Sequence, residues 1–192
     1  FYDSIYHKKE FYENRLSQTE PFPKERGMLT KHQKTIARYL SSHTPYDRLL
    51  LVHEMGSGKT CSAIGAIEQC IAEGSKFKMA LILANGKPLL GNFIDELVMK
   101  CTSGQYIPDN YSKLTSMEKI RRIQKKTEFY QFETFRRFAA IVEKSSDEII
   151  KRDYSNIIVV IDEVHNLRIQ DNDKENTVKV YNQYHRFLHL IE

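Results

Sequence analysis

The chain has 192 residues, of which 41% are hydrophobic and 28% are charged, and this composition excludes an intrinsically disordered protein. Its formal net charge of +4 permits a polyanionic partner without requiring one. No apolar run reaches the length of a membrane span, and the amino terminus lacks a signal-peptide pattern, so we expect an intracellular protein with no membrane partner. The chain begins with Phe1 and not with methionine, which predicts that it is a piece of a longer protein.

The amino-terminal part is predicted to be an extension over residues 1–28, followed by one main domain over residues 29–192. Residues 2–16 carry a partial apolar stripe typical of a helix, which two prolines end. Thr30 is suited to cap a second helix over residues 31–40. In that helix, the Gln33 amide can donate one hydrogen bond to adenine and accept another, although an isolated glutamine is more often a solvated side chain.

A strand, a glycine-containing turn and a helix are predicted around residues 49–71. Residues 49–52 are apolar and branched, which favours a buried strand. Gly56 and Gly58 allow backbone N–H groups to curl around phosphate oxygens without interference from a Cβ. Lys59 supplies a full charge for the β- and γ-phosphates, and the hydroxyl of Thr60 is placed to hold Mg²⁺.

This turn is the phosphate-binding P-loop, although His53 stands where the strict pattern has its first glycine. ATP and Mg²⁺ are therefore the expected ligands. The predicted nucleotide contacts are Gln33, Met55, Gly56, Ser57, Gly58, Lys59, Thr60 and Cys61. The three cysteines, Cys61, Cys70 and Cys101, lack the spacing of metal ligands, and we expect free thiols in a reducing compartment.

Strands and helices are predicted to alternate after the P-loop helix. Residues 78–84 are typical of a buried strand and residues 89–98 of a helix, which indicates a βαβ unit with a parallel sheet. Residues 112–126 predict a helix whose second half is strongly basic. Such a run can lie along a phosphate backbone or be an ordinary solvated helix face. A strand over residues 129–135 follows, and residues 177–192 predict a final helix.

A second chemical motif comes at the end of the predicted strand over residues 156–161. Asp162 and Glu163 follow the apolar run directly, and the carboxyl end of a parallel strand is where α/β proteins bind ligands. Asp162 is suited to hold Mg²⁺, and Glu163 to polarise the water that attacks the γ-phosphate, so Lys59, Asp162 and Glu163 are the predicted catalytic residues. His165 is suited to sense the γ-phosphate and couple its state to the rest of the protein.

The Gly-Ser-Gly-Lys-Thr turn and Asp162-Glu163-Val164-His165 together resemble motifs I and II of superfamily 2 helicases and translocases, in a variant of the DEAH type. His32-Gln33 resembles the upstream glutamine motif of the same superfamily. The sequence between the motifs is most similar to that of helicase-like ATPases of large DNA viruses. These include relatives of the poxvirus early transcription factor small subunit and of nucleoside triphosphate phosphohydrolase I. The resemblance implies a RecA-like α/β fold with a parallel central sheet flanked by helices.

The same resemblance implies a nucleic-acid partner, with DNA favoured over RNA, and candidate contacts at Gly86, Lys87 and Thr134. It also implies a second RecA-like lobe of the parent chain, because no motif III and no arginine finger follow Asp162-Glu163 here. RNA polymerase or a transcription-factor subunit is a further partner that it suggests. For a viral protein the location would be the host cytoplasm or the virion.

The function predicted from these motifs is that of the ATP-binding lobe of a nucleic-acid-dependent ATP hydrolase acting in viral transcription or DNA handling. Because half of the cleft would be missing, we expect this piece alone to hydrolyse ATP weakly. Two alternatives share the same motifs. One is an ATP-switched, promoter-binding transcription factor subunit without unwinding activity, and the other is a stand-alone P-loop NTPase.

Overall fold

A computed structural model describes residues 4–5, 7–8, 11–12, 28–52, 56–74, 77–168 and 175–191 of the chain. They fall into two compact units. The first unit draws on Phe1–Lys76 and Phe93–Asp109, and the second on Phe77–Asn92 and Asn110–Glu192. The helix predicted over residues 2–16 lies mostly outside the described residues.

Two helices and a π-helical turn build the first unit. Helix α1 is Lys31–Tyr39, and Thr30 caps it with a capping box as predicted. Helix α2 is Lys59–Ala72, and Leu97–Cys101 forms the π-helical turn. These elements and the last residues of the helix Lys87–Glu96 bury at least nine-tenths of each of the following side chains: Ile36, Ala37, Ile64, Ile67, Phe93, Ile94, Leu97 and Val98. This core fixes the start of α2, where the P-loop ends.

The strand predicted for residues 49–52 is wrong. These residues have no strand conformation, and the side chains of Leu50 and Val52 are 70% and 81% exposed. An apolar run indicates side chains that can be buried, but a strand also needs a neighbouring backbone for its N–H and C=O groups. The ladders recorded among the described residues join other segments.

A parallel sheet of three strands forms the centre of the second unit. Strands β1 (Ala80–Ala84), β2 (Tyr130–Thr134) and β3 (Ile158–Ile161) lie in the order β2-β1-β3. Ala84 pairs with Thr134, and Leu83 pairs with Ile161, so the carboxyl ends of all three strands meet at one edge. The three strands predicted in this part of the sequence are confirmed.

Helices flank the sheet of the second unit. Helix α3 (Lys87–Glu96) contributes residues up to Asn92, and α4 (Ser116–Thr127), α5 (Phe135–Lys144), α6 (Asp147–Tyr154) and α7 (Glu175–Ile191) belong to this unit entirely. Short 3-10 turns occupy Tyr111–Lys113 and Val164–Leu167. One buried cluster joins α5, α6 and α7 to the sheet, with the members Leu81, Leu83, Phe135, Phe138, Ala139, Val142, Ile150, Leu167, Tyr184 and Phe187.

The parallel sheet flanked by helices confirms the predicted α/β class. The division at residue 28 between an extension and the main domain stays a prediction. Within the described ranges, no helix combines the length and the apolar character that a transmembrane segment needs.

Candidate nucleotide-binding site

The P-loop of the first unit is held in a conformation that favours glycine. Gly56 and Gly58 have φ angles of +80° and +81°, in the left-handed region. Gly58 is also the residue immediately before α2, so the turn leads straight into the helix amino terminus. Backbone N–H groups at a helix amino terminus are unpaired within the helix and carry partial positive charge. The turn therefore has the backbone arrangement of an anion site.

Gln33 connects helix α1 to this turn. Its Oε1 accepts a hydrogen bond from the N–H of Thr30 at 2.9 Å, and its Nε2 donates to the carbonyl of Gly58 at 3.2 Å. The side chain is 6% exposed. Gln33 thus holds the P-loop in place, a role that sequence reasoning missed, and its contact with adenine stays a prediction.

Ser57 provides a local test of whether the turn fits a phosphate. Its hydroxyl oxygen is buried, and within the described part of the chain it has no hydrogen-bond partner. A buried hydroxyl without a partner is unfavourable, and a phosphate oxygen would satisfy it. Together with the two glycines, this orphaned donor fits a bound phosphate group. Met55, the remaining predicted contact in the loop, lies outside the described residues.

Cys61 and Cys101 form a disulfide, so the expectation of three free thiols is wrong. Cys61 lies in the first turn of α2, and Cys101 is the last residue of the π-helical turn. Packing of these elements brings the two Cα atoms within 5.3 Å across a separation of 40 residues. No local sequence pattern could signal such a pairing. Cys70 is a buried free thiol.

The second predicted motif lies at the carboxyl edge of the sheet in the second unit. The N–H of Asp162 donates to the carbonyl of Leu83 at 2.8 Å, which extends the β3 ladder by one bond. Glu163 follows with a φ of +54°, an uncommon conformation for a residue with a side chain. Its carbonyl accepts hydrogen bonds from the N–H of Asn166 at 2.9 Å and from Nδ2 of the same residue at 3.0 Å. The backbone after β3 therefore turns sharply at the two acids.

Glu163 and His165 form a pair in this turn. Nδ1 of His165 lies 3.1 Å from Oε2 of Glu163, and the side chains are 64% and 43% exposed, respectively. A contact between polar groups at such exposed positions contributes little to stability. The contact instead sets the direction of the Glu163 carboxylate. The structure thus brings together two residues for which separate roles are predicted.

The predicted nucleic-acid contacts lie at the same edge of the second unit. Gly86, with a φ of +113°, and Lys87, the exposed first residue of α3, follow β1 directly. Thr134 ends β2, pairs with Ala84, and accepts a hydrogen bond from the N–H of Arg137 as the cap of α5. The sheet register accordingly brings these three residues to neighbouring strand ends.

Comparisons with known proteins give relatives from large DNA viruses. The chain is 34% identical to "Putative helicase 087L" of Invertebrate iridescent virus 3 over 95% of its length, and 39% identical to "Putative helicase 009L" of Frog virus 3 over 83%. A "Putative ATP-dependent RNA helicase" of Heliothis virescens ascovirus 3e is 31% identical over 85%. The chain spans 19%, 17% and 17% of these relatives, about a fifth of their length.

These relatives confirm the resemblance to the helicase-like proteins of large DNA viruses. No solved structure matches the chain. A family model described as "Type III restriction enzyme, res subunit" matches residues 21–190, nearly the whole chain, and this family has the RecA-like α/β fold that the motifs predict. The chain is therefore a helicase-like ATPase domain and belongs to the ResIII family.

Proposed function

We propose that the chain is the ATP-binding lobe of a superfamily 2, DEAH-like ATPase whose turnover depends on nucleic acid. The observation that carries this proposal is the turn at Gly56 and Gly58, where two left-handed residues lead directly into the amino terminus of α2. That conformation turns successive backbone N–H groups toward a common anion. Membership of the ResIII family supports ATP as the nucleotide.

In this proposal the first unit binds the triphosphate. The backbone of the P-loop and the hydroxyl of Ser57 donate hydrogen bonds to phosphate oxygens, and Lys59 adds a full positive charge. The hydroxyl of Thr60 would hold Mg²⁺. Gln33, which already supports Gly58, contributes the adenine contact. Met55 and Cys61 are the remaining proposed nucleotide contacts.

The acidic turn after β3 supplies the remaining groups. Asp162 would hold Mg²⁺, and Glu163 would orient the attacking water and accept its proton. Mg²⁺, when bound, neutralises charge on the phosphate oxygens. His165 fixes the Glu163 carboxylate through the 3.1 Å contact and links its position to the γ-phosphate. A left-handed conformation at a non-glycine residue costs free energy, and such residues are enriched at functional sites, which supports a role for Glu163.

The proposal extends to partners that lie outside this chain. Gly86, Lys87 and Thr134 contact nucleic acid, with DNA favoured, although the names of some relatives specify RNA. Because the chain covers about a fifth of the relatives' length, a second RecA-like lobe in the parent protein completes the catalytic site and adds transition-state charge. The whole protein acts in viral transcription or DNA handling.

The test is Mg²⁺-ATP binding and hydrolysis by the folded chain, measured alone, with DNA and with RNA. Lys59→Ala is the control for contaminating ATPases, and Lys87→Ala tests the nucleic-acid contact without altering the P-loop. We expect nucleotide binding that Lys59→Ala abolishes, together with very slow turnover, because the second lobe is absent.

Two results would contradict the proposal. Failure to bind nucleotide by folded protein would reject the P-loop assignment. Fast turnover that is indifferent to DNA and RNA, and is lost in Lys59→Ala, would show a complete site and favour a stand-alone NTPase.

A further inference from the structure

Helix α4 concentrates the positive charge of the chain. It contains one acidic residue, Glu118, and five basic residues, Lys119, Arg121, Arg122, Lys125 and Lys126, which give it a net charge of +4. The whole chain has 29 basic and 25 acidic residues, which also give +4. Without this helix, 24 residues of each sign remain, so the rest of the chain is neutral. The formal net charge of the chain is therefore equal to the net charge of this one helix.

Buried contacts fix which side of α4 meets the solvent. Ile120 and Ile123 are 7% and 0% exposed, and Nε2 of Gln124 donates to Oε1 of Gln131 in β2 at 3.2 Å. With 3.6 residues per turn, the opposite side of the helix presents four exposed residues. We call these four residues the basic face: Arg121, Arg122, Lys125 and Lys126.

The acidic residue of α4 lies in the first turn, three and four residues before Arg121 and Arg122, and its carboxylate is engaged in the helix cap. Glu118 accepts hydrogen bonds from the N–H of Thr115 at 2.8 Å and from its hydroxyl at 2.7 Å, completing the capping box of the helix. These bonds lower the pKa of the Glu118 carboxyl, with a smaller contribution from Arg122. The negative charge therefore stays at the amino-terminal turn, where the helix dipole favours it.

Helix stability does not explain the basic face. Lys125 and Lys126, in the last turn, complement the helix dipole, but Arg121 and Arg122 lie in mid-helix, where the dipole has little effect. Arg121 and Lys125 form a like-charge pair at i,i+4, as do Arg122 and Lys126, and such pairs are unfavourable in helices. Glu118, at i,i+3 and i,i+4 to Arg121 and Arg122, offsets part of this repulsion, so the charges together give the helix no clear gain in stability.

Helix α6 in the same unit has the arrangement that stability alone favours. Its first turn is acidic and its last turn basic, as the helix dipole prefers. Arg152 lies 2.6 Å from Asp153, and Asp147 pairs with Arg186 of α7. Charges of both signs are thus mixed on α6, whereas the exposed side of α4 after its first turn is uniformly positive. This contrast points to a ligand for α4.

We propose that the basic face binds the sugar–phosphate backbone of a nucleic acid, independently of base sequence. Positions i and i+4 are about 5–6 Å apart at Cβ, which allows two neighbouring side chains to engage successive phosphates. Arginine forms bidentate hydrogen bonds with phosphate oxygens. An anionic membrane fits less well, because Ile120 and Ile123 are packed inside the unit and cannot insert into lipid. The choice of nucleic acid as the polyanion rests on the proposed function.

The test uses the 192-residue chain and a labelled mixed-sequence 20-mer of single-stranded DNA or RNA, with binding followed by fluorescence anisotropy over a range of salt concentrations. The variant is Arg121→Gln/Lys125→Gln. The matched control is Lys144→Gln/Lys151→Gln, which removes two exposed charges from other helices of the second unit. Both pairs lie outside the P-loop and the acidic turn.

We expect the α4 variant to lose at least tenfold in affinity at low salt, for every base sequence alike. The slope of log K against log salt should decrease by about 1.5, since each lost phosphate contact removes about 0.7–0.9. The control should bind within twofold of the unaltered chain with the same slope. Removal of one like-charge pair should leave the α4 variant folded, which thermal unfolding checks.

Several outcomes would overturn the inference. Equal losses in variant and control would show a general effect of net charge, and no loss in the variant would exclude the basic face. Displacement of the oligonucleotide by polyglutamate at equal charge concentration would show an unselective anion surface, and no binding by the unaltered chain would also reject the proposal. Binding of a fluorescent ATP analogue, lost in Lys59→Ala and kept in the α4 variant, separates this failure from failure of the proposed ATP site.

Discussion

In the P-loop, the backbone is fixed by buried contacts: Gly58 adopts a left-handed conformation, and the 6%-exposed side chain of Gln33 holds its carbonyl. In the turn after β3, by contrast, the functional groups are the exposed side chains of Glu163 and His165, in contact with each other. Both turns place groups that can stabilise charge at the end of a helix or a strand.

The difference between the two turns concerns where stability and function overlap. A change in the P-loop should disturb packing and phosphate binding together, because the backbone itself provides the donors. A change at Glu163 should remove chemistry and leave the fold intact, because an exposed side chain contributes little to folding. Measurements of stability in variants of each turn can therefore distinguish a turn that acts through its backbone from one that acts through exposed side chains.

The largest expected effect on stability comes from the disulfide beside the P-loop. Cys101→Ser opens a loop of 40 residues and should lower the free energy of unfolding by about 4 kcal/mol, through the greater entropy of the unfolded chain. Thermal unfolding with and without dithiothreitol measures it. The reductant should lower the midpoint of the unaltered chain to that of the variant and leave the variant unchanged. A reductant-insensitive midpoint for the unaltered chain would contradict the cross-link.

A smaller loss is expected from Gly58→Ala. The left-handed conformation costs a residue with a Cβ about 1–2 kcal/mol, and the new Cβ would lie 2.6 Å from Nε2 of Gln33, which must move. Gly74→Ala is the matched control, since Gly74 has a φ of +66° but no neighbour within 4 Å. We expect denaturant unfolding to show a loss in both variants, larger for Gly58→Ala. Nucleotide binding should fall only for Gly58→Ala. Equal nucleotide binding by both variants would show that the backbone conformation at Gly58 does not contribute to phosphate recognition.

The sequence predicts the sheet of the second unit well, because each of its strands is a short apolar or alternating run followed by a turn or a helix cap. The run over residues 49–52 has the same composition but no strand conformation. Composition indicates which residues can be buried, whereas pairing depends on a neighbouring strand. Sequence reasoning therefore identified β1, β2 and β3 and was wrong about residues 49–52.

Part of the candidate site could also be predicted from the sequence. Glycines at two fixed positions before Lys59 predict a phosphate-binding turn, since few other residues adopt its backbone conformation. The contact between Gln33 and Gly58 joins residues 25 positions apart, and the disulfide joins residues 40 positions apart. Such pairs are set by the packing of helices and leave no periodic signal in one sequence.

Glu163→Gln tests the acidic turn after β3. The substitution keeps the size of the side chain and changes only an exposed contact with His165, so the free energy of unfolding should change by less than about 1 kcal/mol. Calorimetric binding of Mg²⁺-ATP should stay within about threefold of the unaltered chain, because Glu163 is proposed to act on water. His165→Ala, which breaks the same contact from the opposite partner, should be equally mild. A large loss of stability in either variant would show that the acidic turn supports the fold.

The smallest expected effect concerns Glu133, the residue before Thr134 at the same sheet edge. Burial raises the pKa of its carboxyl from 4.5, although Arg137 at 3.1 Å acts in the opposite direction. With a raised pKa in the folded state, the unfolded chain ionises first as the pH rises, so this group lowers stability as the pH increases through and above 4.5. Glu133→Gln should remove that decrease and raise the midpoint of thermal unfolding at pH 7 by no more than about 2 °C.

Arg137→Gln should make the decrease steeper, because the Glu133 carboxylate then loses its nearby positive charge. Thermal unfolding between pH 3.5 and 7.5, in steps of about half a unit around the ordinary carboxyl pKa, measures both variants. A pH dependence that is unchanged in Glu133→Gln would assign the effect to other acids of the chain.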